Sequence, residues 1–145
     1  MTITTRSPGP TVGELMSIEP VTITEDEPAA TAQRLMSERR VSGLPVVSRM
    51  GALVGVISQT DFVRAHASGQ AFADWPGMAV RHLMTSPALT VRSNEPLLTA
   101  ARRMETNRVH RLVVIAPDGE HPVGVISTLD LVSELARVLE EPDGR

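Results

Sequence analysis

The chain has 145 residues, a formal net charge of −3 and a 41% apolar composition, which suits one compact domain or two small units sharing a core. Fourteen basic against seventeen acidic side chains exclude the strongly basic surface that non-specific nucleic-acid binding needs. The absence of cysteine excludes a disulfide, a thiolate metal site and a cysteine nucleophile, and no apolar run approaches the roughly 20 residues of a membrane span.

In chain order, residues 1–10 read as a disordered tail of Thr, Ser, Pro and Gly without the apolar core of a signal peptide. A cytoplasmic location is the resulting expectation. Val12 to Met16 is a short apolar turn, and Pro20 to Thr24 a short strand. Glu25-Asp26-Glu27-Pro28 starts a helix, with acids in the first turn and Pro near the first helical position. Ala32, Leu35 and Met36 then recur at helical spacing. Val41 to Val47 is a strand holding Pro45, which marks an edge or a bend. Ser48 to Gly51 is a hairpin turn, Leu53 to Ile57 the return strand, and Ser58 to Ala67 a second helix. Residues 68–79 are a linker that carries the single Trp, and Phe72 and Trp75 are expected to pack back on the body or on a second subunit.

From Val80 the pattern begins again. Val12, Leu15 and Met16 return 68 positions later as Val80, Leu83 and Met84. The same offset carries Glu27-Pro28 to Glu95-Pro96, Met36 to Met104 and Arg40-Val41 to Arg108-Val109. Past the hairpin the offset becomes 69, one residue having entered at the turn tip, where insertion costs least. The chain is thus a tandem repeat: tail 1–10, repeat 11–67, linker 68–79, repeat 80–140 and tail 141–145. Each repeat reads strand, helix, strand, hairpin, strand, helix. A unit of about 60 residues buries little surface alone. Two copies are expected to pack their sheets together about a pseudo-two-fold axis, with small-molecule clefts at the seam.

The most telling stretch is Gly55-Val-Ile-Ser58-Gln-Thr-Asp61, which returns as Gly124-Val-Ile-Ser127-Thr-Leu-Asp130. Glycine permits close backbone approach. Val-Ile ends a buried strand. Ser-x-x-Asp opens a helix with a hydroxyl and a carboxylate beside its amides. Such an opening suits a ribose diol or a phosphate. It equally suits a bare capping box.

With the Leu-Met-Ser/Thr lead-in, Glu-Pro before a helix, Arg-Val-x-x-Leu-x-Val-Val/Ile and Gly-Val-Ile-Ser-x-x-Asp in both copies, the chain resembles a CBS-domain pair over about residues 12–67 and 80–139. The resemblance implies an α+β fold of two β-α-β-β-α repeats and a regulatory module. It implies binding of an adenosine-containing ligand such as AMP, ADP, ATP or S-adenosylmethionine. A homodimer and a regulated partner protein are also implied, and the chain reads as a free-standing pair. The family motif falls on Gly55, Ser58 and Asp61, and on Gly124, Ser127 and Asp130, with each Asp holding ribose hydroxyls. Thr60 and Leu129 are implied to touch the ligand through backbone. Ser42, Gly43, Leu44 and Pro45, and Arg108, His110, Arg111 and Leu112, are implied as wall and phosphate residues, while Arg40 and Arg108 read equally as caps of helix C-termini. Thr22-Ile23 and Thr90-Val91 are implied to line such clefts. A cleft that combines one repeat's first strand with the other repeat's Asp is left open. Ser42-Gly43 is small where His110-Arg111 is large and basic, so the second site suits a phosphorylated ligand better.

No catalytic constellation or Walker-type phosphate loop is present. His66, His82, His110 and His121 form no His-x-x-x-His or Glu-x-x-His pair, and the seven Met read as core filler. The expectation is therefore a binding module that needs no cofactor, rather than an enzyme. The competing reading is a ligand-independent structural or dimerisation module, to which Leu131, Leu135, Val138 and Leu139 offer an apolar stripe.

Overall fold

The computed structural model describes residues 9–18, 20–67 and 77–140. Phe72 and Trp75 lie outside them. The elements in chain order are α1 (Val12–Leu15), β1 (Ser17–Ile18), β2 (Ile23–Thr24), α2 (Ala29–Arg39), β3 (Gly43–Val47), β4 (Leu53–Ser58) and α3 (Gln59–Ala67). There follow α4 (Val80–Leu83), β5 (Thr90–Arg92), α5 (Leu97–Asn107), β6 (Arg111–Ile115), β7 (Pro122–Ser127) and α6 (Thr128–Glu140). The fold is α+β with two sheets.

The compact units cut across the sequence repeats. One unit gathers the chain up to Ile18, Thr90–Pro117 and the chain from Val123; the other gathers Glu19–Leu89 and Asp118–Pro122. The short lead-in before each repeat thus belongs with the strands of the other repeat. The unit holding Thr90–Pro117 is called here the second-repeat unit, and the other the first-repeat unit.

In the first-repeat unit the sheet order is β2-β3-β4, with β2 parallel and β4 antiparallel to β3. Pro45 sits in the middle strand rather than at an edge. It is tolerated because β2 pairs only from Val46 onward, so no partner strand needs the missing N–H. Its opposite residue on β4, Val56, spends its N–H and C=O on Thr85 at 2.9 and 2.8 Å. Leu44, Val46, Ile57, Ala32 and Val80 form a core that the lead-in helix α4 helps to close. Met36 fills this core, whereas Met50, on the hairpin tip, is 93% exposed and fills nothing.

In the second-repeat unit the order is β1-β7-β6-β5. The lead-in strand β1 pairs antiparallel with β7 through Ser17–Val125 and Ile18–Gly124. Its core is Val12, Val91, Ala100, Met104, Leu112, Val114 and Ile126. Burying each such aliphatic side chain contributes about 1.5–3 kcal/mol. Helices α2 and α5 both end on an arginine, Arg40 and Arg108, in the left-handed region with φ 54 and ψ 46. A glycine is the usual residue there.

Candidate functional site

Each Ser-x-x-Asp turn lies where a return strand passes into a helix, and each is built inside one unit. Close approach at the motif glycine sets the turn's surroundings. A Cβ on Gly55 would lie 2.7 Å from the Thr85 carbonyl oxygen, and one on Gly124 2.6 Å from that of Ser17. Only glycine lets the lead-in backbone run this close to the motif strand. The two motif glycines therefore serve packing of the lead-in.

The serine and aspartate of each motif bond to one another. Ser127 donates through its N–H at 2.8 Å and its hydroxyl at 3.1 Å to Asp130 Oδ2, and the Asp130 N–H returns to Ser127 Oγ at 3.3 Å. Ser58 makes the same two bonds, at 2.8 and 3.1 Å, to Asp61 Oδ2. The capping function is thus present in both copies.

The copies differ at the other carboxylate oxygen. Asp61 Oδ1 accepts from Arg64 Nη1 at 3.1 Å and from Thr85 Oγ1 at 2.8 Å, and its side chain is 2% exposed. Asp130 is half-buried, and among the described residues Oδ1 has no hydrogen-bond donor. Arg64 and Thr85 are contributors that the sequence reading missed. Their signals were present: Arg64 stands three residues after the motif aspartate, and Thr85 closes the Leu-Met-Ser/Thr lead-in.

Of the remaining candidates of the second set, His110 is tied directly to the Asp130 turn. The Thr128 N–H and hydroxyl donate to the His110 carbonyl at 2.8 and 3.1 Å, which fixes the start of β6 beside the start of α6. Thr90 lies across from Val113 on β6, and Arg103 Nη1 donates to the Thr90 carbonyl at 2.6 Å. Arg108, His110 and Arg111 are exposed, and among the described residues no acidic group pairs with them. In the first set, Gly43 lies across from Ser58, and the Gln59 N–H donates to the Ser42 carbonyl at 3.0 Å. Thr22, Thr60 and Leu129 are exposed.

Four expected lining residues belong to the core instead. Ile23, Leu44, Val91 and Leu112 are 4%, 1%, 1% and 1% exposed and sit within the two apolar clusters. Pro45 is buried as well. Strand alternation turns the side chains of Ile23, Leu44, Val91 and Leu112 into the clusters, so what they offer outward is backbone, whereas Pro45, next to Leu44, faces the other side of β3. Of the histidines, His82 takes the Ala79 N–H at 3.0 Å and His66 contacts the Phe62 carbonyl at 2.8 Å. Among the described residues no three His, Asp or Glu side chains are placed to hold a metal ion, and no helix is long and apolar enough to cross a membrane.

The family model for the CBS domain matches residues 12–68 and 80–137. The chain is 31% identical over 126 residues to a homoserine O-acetyltransferase of Methanosphaerula palustris, covering 87% of this chain and 24% of that protein. It is 32% identical over 119 residues to the 5'-AMP-activated protein kinase subunit gamma-3 of Homo sapiens, covering 78% and 24%. The chain thus spans about a quarter of the length of the curated relatives it matches. Among solved structures, CBSX2 in complex with AMP aligns with a TM-score of 0.78 at 29% identity, over 91% of this chain and all of that one.

Proposed function

The chain belongs to the CBS domain family, and from that premise we propose that it is a regulatory module that binds an adenosine-containing nucleotide at a Ser-x-x-Asp turn. The observation that carries this reading is Asp130. Among the described residues its Oδ1 has no donor, while Arg108, His110 and Arg111 on the adjoining segment have no acidic partner and are suited to phosphate. The AMP seen in a structure 29% identical over the full length of that chain supports the same ligand class. AMP is the first candidate, with ADP, ATP and S-adenosylmethionine as alternatives. The module is read as non-enzymatic, because the acetyltransferase relatives align over only a quarter of their length. It is read as acting through a partner protein in the cytoplasm.

The test is a thermal-shift titration of the purified chain with AMP, ADP, ATP and S-adenosylmethionine. A concentration-dependent rise in melting temperature with at least one of them is expected. No shift at millimolar concentration of any of the four would overturn the reading.

A second reading rests on its own observation. Leu129, Val132, Leu135, Val138 and Leu139 on α6 are 71%, 53%, 58%, 41% and 75% exposed, and no residue of that helix is fully buried. Such a face supports homodimerisation, with or without a ligand.

A further inference from the structure

Resting on the nucleotide-binding reading above, we propose that the two turns are not equivalent: ligand enters at Asp130 alone, and Arg64 and Thr85 are the residues that close the turn at Asp61.

A carboxylate offers about four acceptor positions. Asp61 has four donors on it: the Ser58 N–H and hydroxyl on Oδ2, and Arg64 Nη1 and Thr85 Oγ1 on Oδ1. Its side chain is 2% exposed, so a ribose diol finds neither a free oxygen nor a path to one. At the equivalent positions of the other repeat, Arg64 is replaced by Ser133 and Thr85 by Ser17. Neither donates to Asp130.

The backbone does not explain the difference. Thr85 bridges Val56 as Ser17 pairs with Val125, the same relation in each unit. Side-chain chemistry does. Threonine is β-branched and stiff at χ1, so the backbone pairing that places Thr85 also aims its hydroxyl. Serine lacks that restraint; Ser17 and Thr85 are both exposed, so the added methyl of Thr85 and not its burial separates them. Arg64 moreover supplies Asp61 with its own counter-charge, which Ser133 cannot do. The cations near the turns follow the same division. Arg108, His110 and Arg111 correspond to Arg40, Ser42 and Gly43, so two of the three donors suited to phosphate are missing where the aspartate is closed.

Calorimetric titration of the full chain with AMP tests this. One AMP per wild-type chain is expected. Asp130→Asn should weaken binding at least tenfold, Asp61→Asn less than twofold, and Arg64→Ser combined with Thr85→Ala should admit a second AMP. Arg64 is 68% exposed, so Arg64→Ser alone keeps the fold and should already add weak second-site binding. Two AMP per wild-type chain, or binding lost through Asp61→Asn as much as through Asp130→Asn, would overturn the inference and leave the nucleotide reading standing. A double variant that still takes one AMP would overturn the closing role of Arg64 and Thr85. A wild-type chain that takes up no AMP at millimolar concentration would overturn this assignment together with the AMP reading.

Discussion

Thr85 donates its hydroxyl to Asp61 Oδ1 at 2.8 Å, tying the lead-in of the second repeat to the motif of the first across 24 residues of sequence. Its repeat equivalent, Ser17, makes no such bond to Asp130. From this pair follow a stability difference and a difference in what each turn can bind.

Thr85→Val keeps the side-chain shape and removes the donor from a buried carboxylate. The expected cost is about 1–3 kcal/mol, the range for leaving a buried acceptor short of a partner. Ser17→Ala should change stability by less than about 0.5 kcal/mol, as exposed substitutions do. Urea unfolding of both variants measures this, and equal effects would contradict the role given to Thr85.

The motif glycines are predicted to be required for packing. Gly55→Ala and Gly124→Ala place a Cβ 2.7 and 2.6 Å from lead-in carbonyl oxygens and should each cost about 1–3 kcal/mol. Gly77→Ala meets nothing within 4 Å and should stay within about 0.5 kcal/mol of wild type. Denaturant midpoints of the three variants separate the two cases.

Much of this was legible in the sequence, and the boundary of legibility is physical. The repeat, the strand and helix order and the capping geometry of Ser58–Asp61 and Ser127–Asp130 follow from local pattern, because caps and periodicity are local. The hairpin at Ser48–Gly51 is local too, and Gly51 takes the φ of 87 that its turn needs. What sequence could not give was long-range. That Met16–Ser17 and Met84–Thr85 pack on the other repeat's motif strand depends on pairings between distant segments. Whether Ile23, Leu44, Val91 and Leu112 line a site or fill a core depends on which face of each strand is covered, and their alternation turned out to serve the core. Pro45 read as an edge marker, yet it occupies a middle strand because β2 is too short to need its N–H.

The two left-handed arginines separate stability from binding. An L-residue with a Cβ pays about 1–2 kcal/mol in that region, partly offset by the greater freedom glycine gives the unfolded chain. Arg40→Gly should therefore raise stability by up to about 1 kcal/mol. Arg108→Gly should do the same while weakening AMP binding about tenfold, since it also removes a phosphate donor. Paired unfolding and binding titrations check this, and an equal loss of affinity in both variants would contradict the asymmetry of the sites.

The α6 face is predicted to carry self-association. Leu135→Glu combined with Leu139→Glu should shift the chain to monomer in sedimentation velocity without lowering its melting temperature by more than a few degrees, because both side chains are exposed within one chain. A wild-type chain that sediments as a monomer at high micromolar concentration would contradict this.

The most direct test of nucleotide binding at the second-repeat turn is a co-crystal structure with AMP. The ribose hydroxyls are predicted within hydrogen-bond distance of Asp130 Oδ1, with the phosphate beside Arg108, His110 or Arg111 and the Asp61 carboxylate still held by Arg64 and Thr85. A ribose bound at Asp61, or AMP bound away from both aspartates, would contradict it.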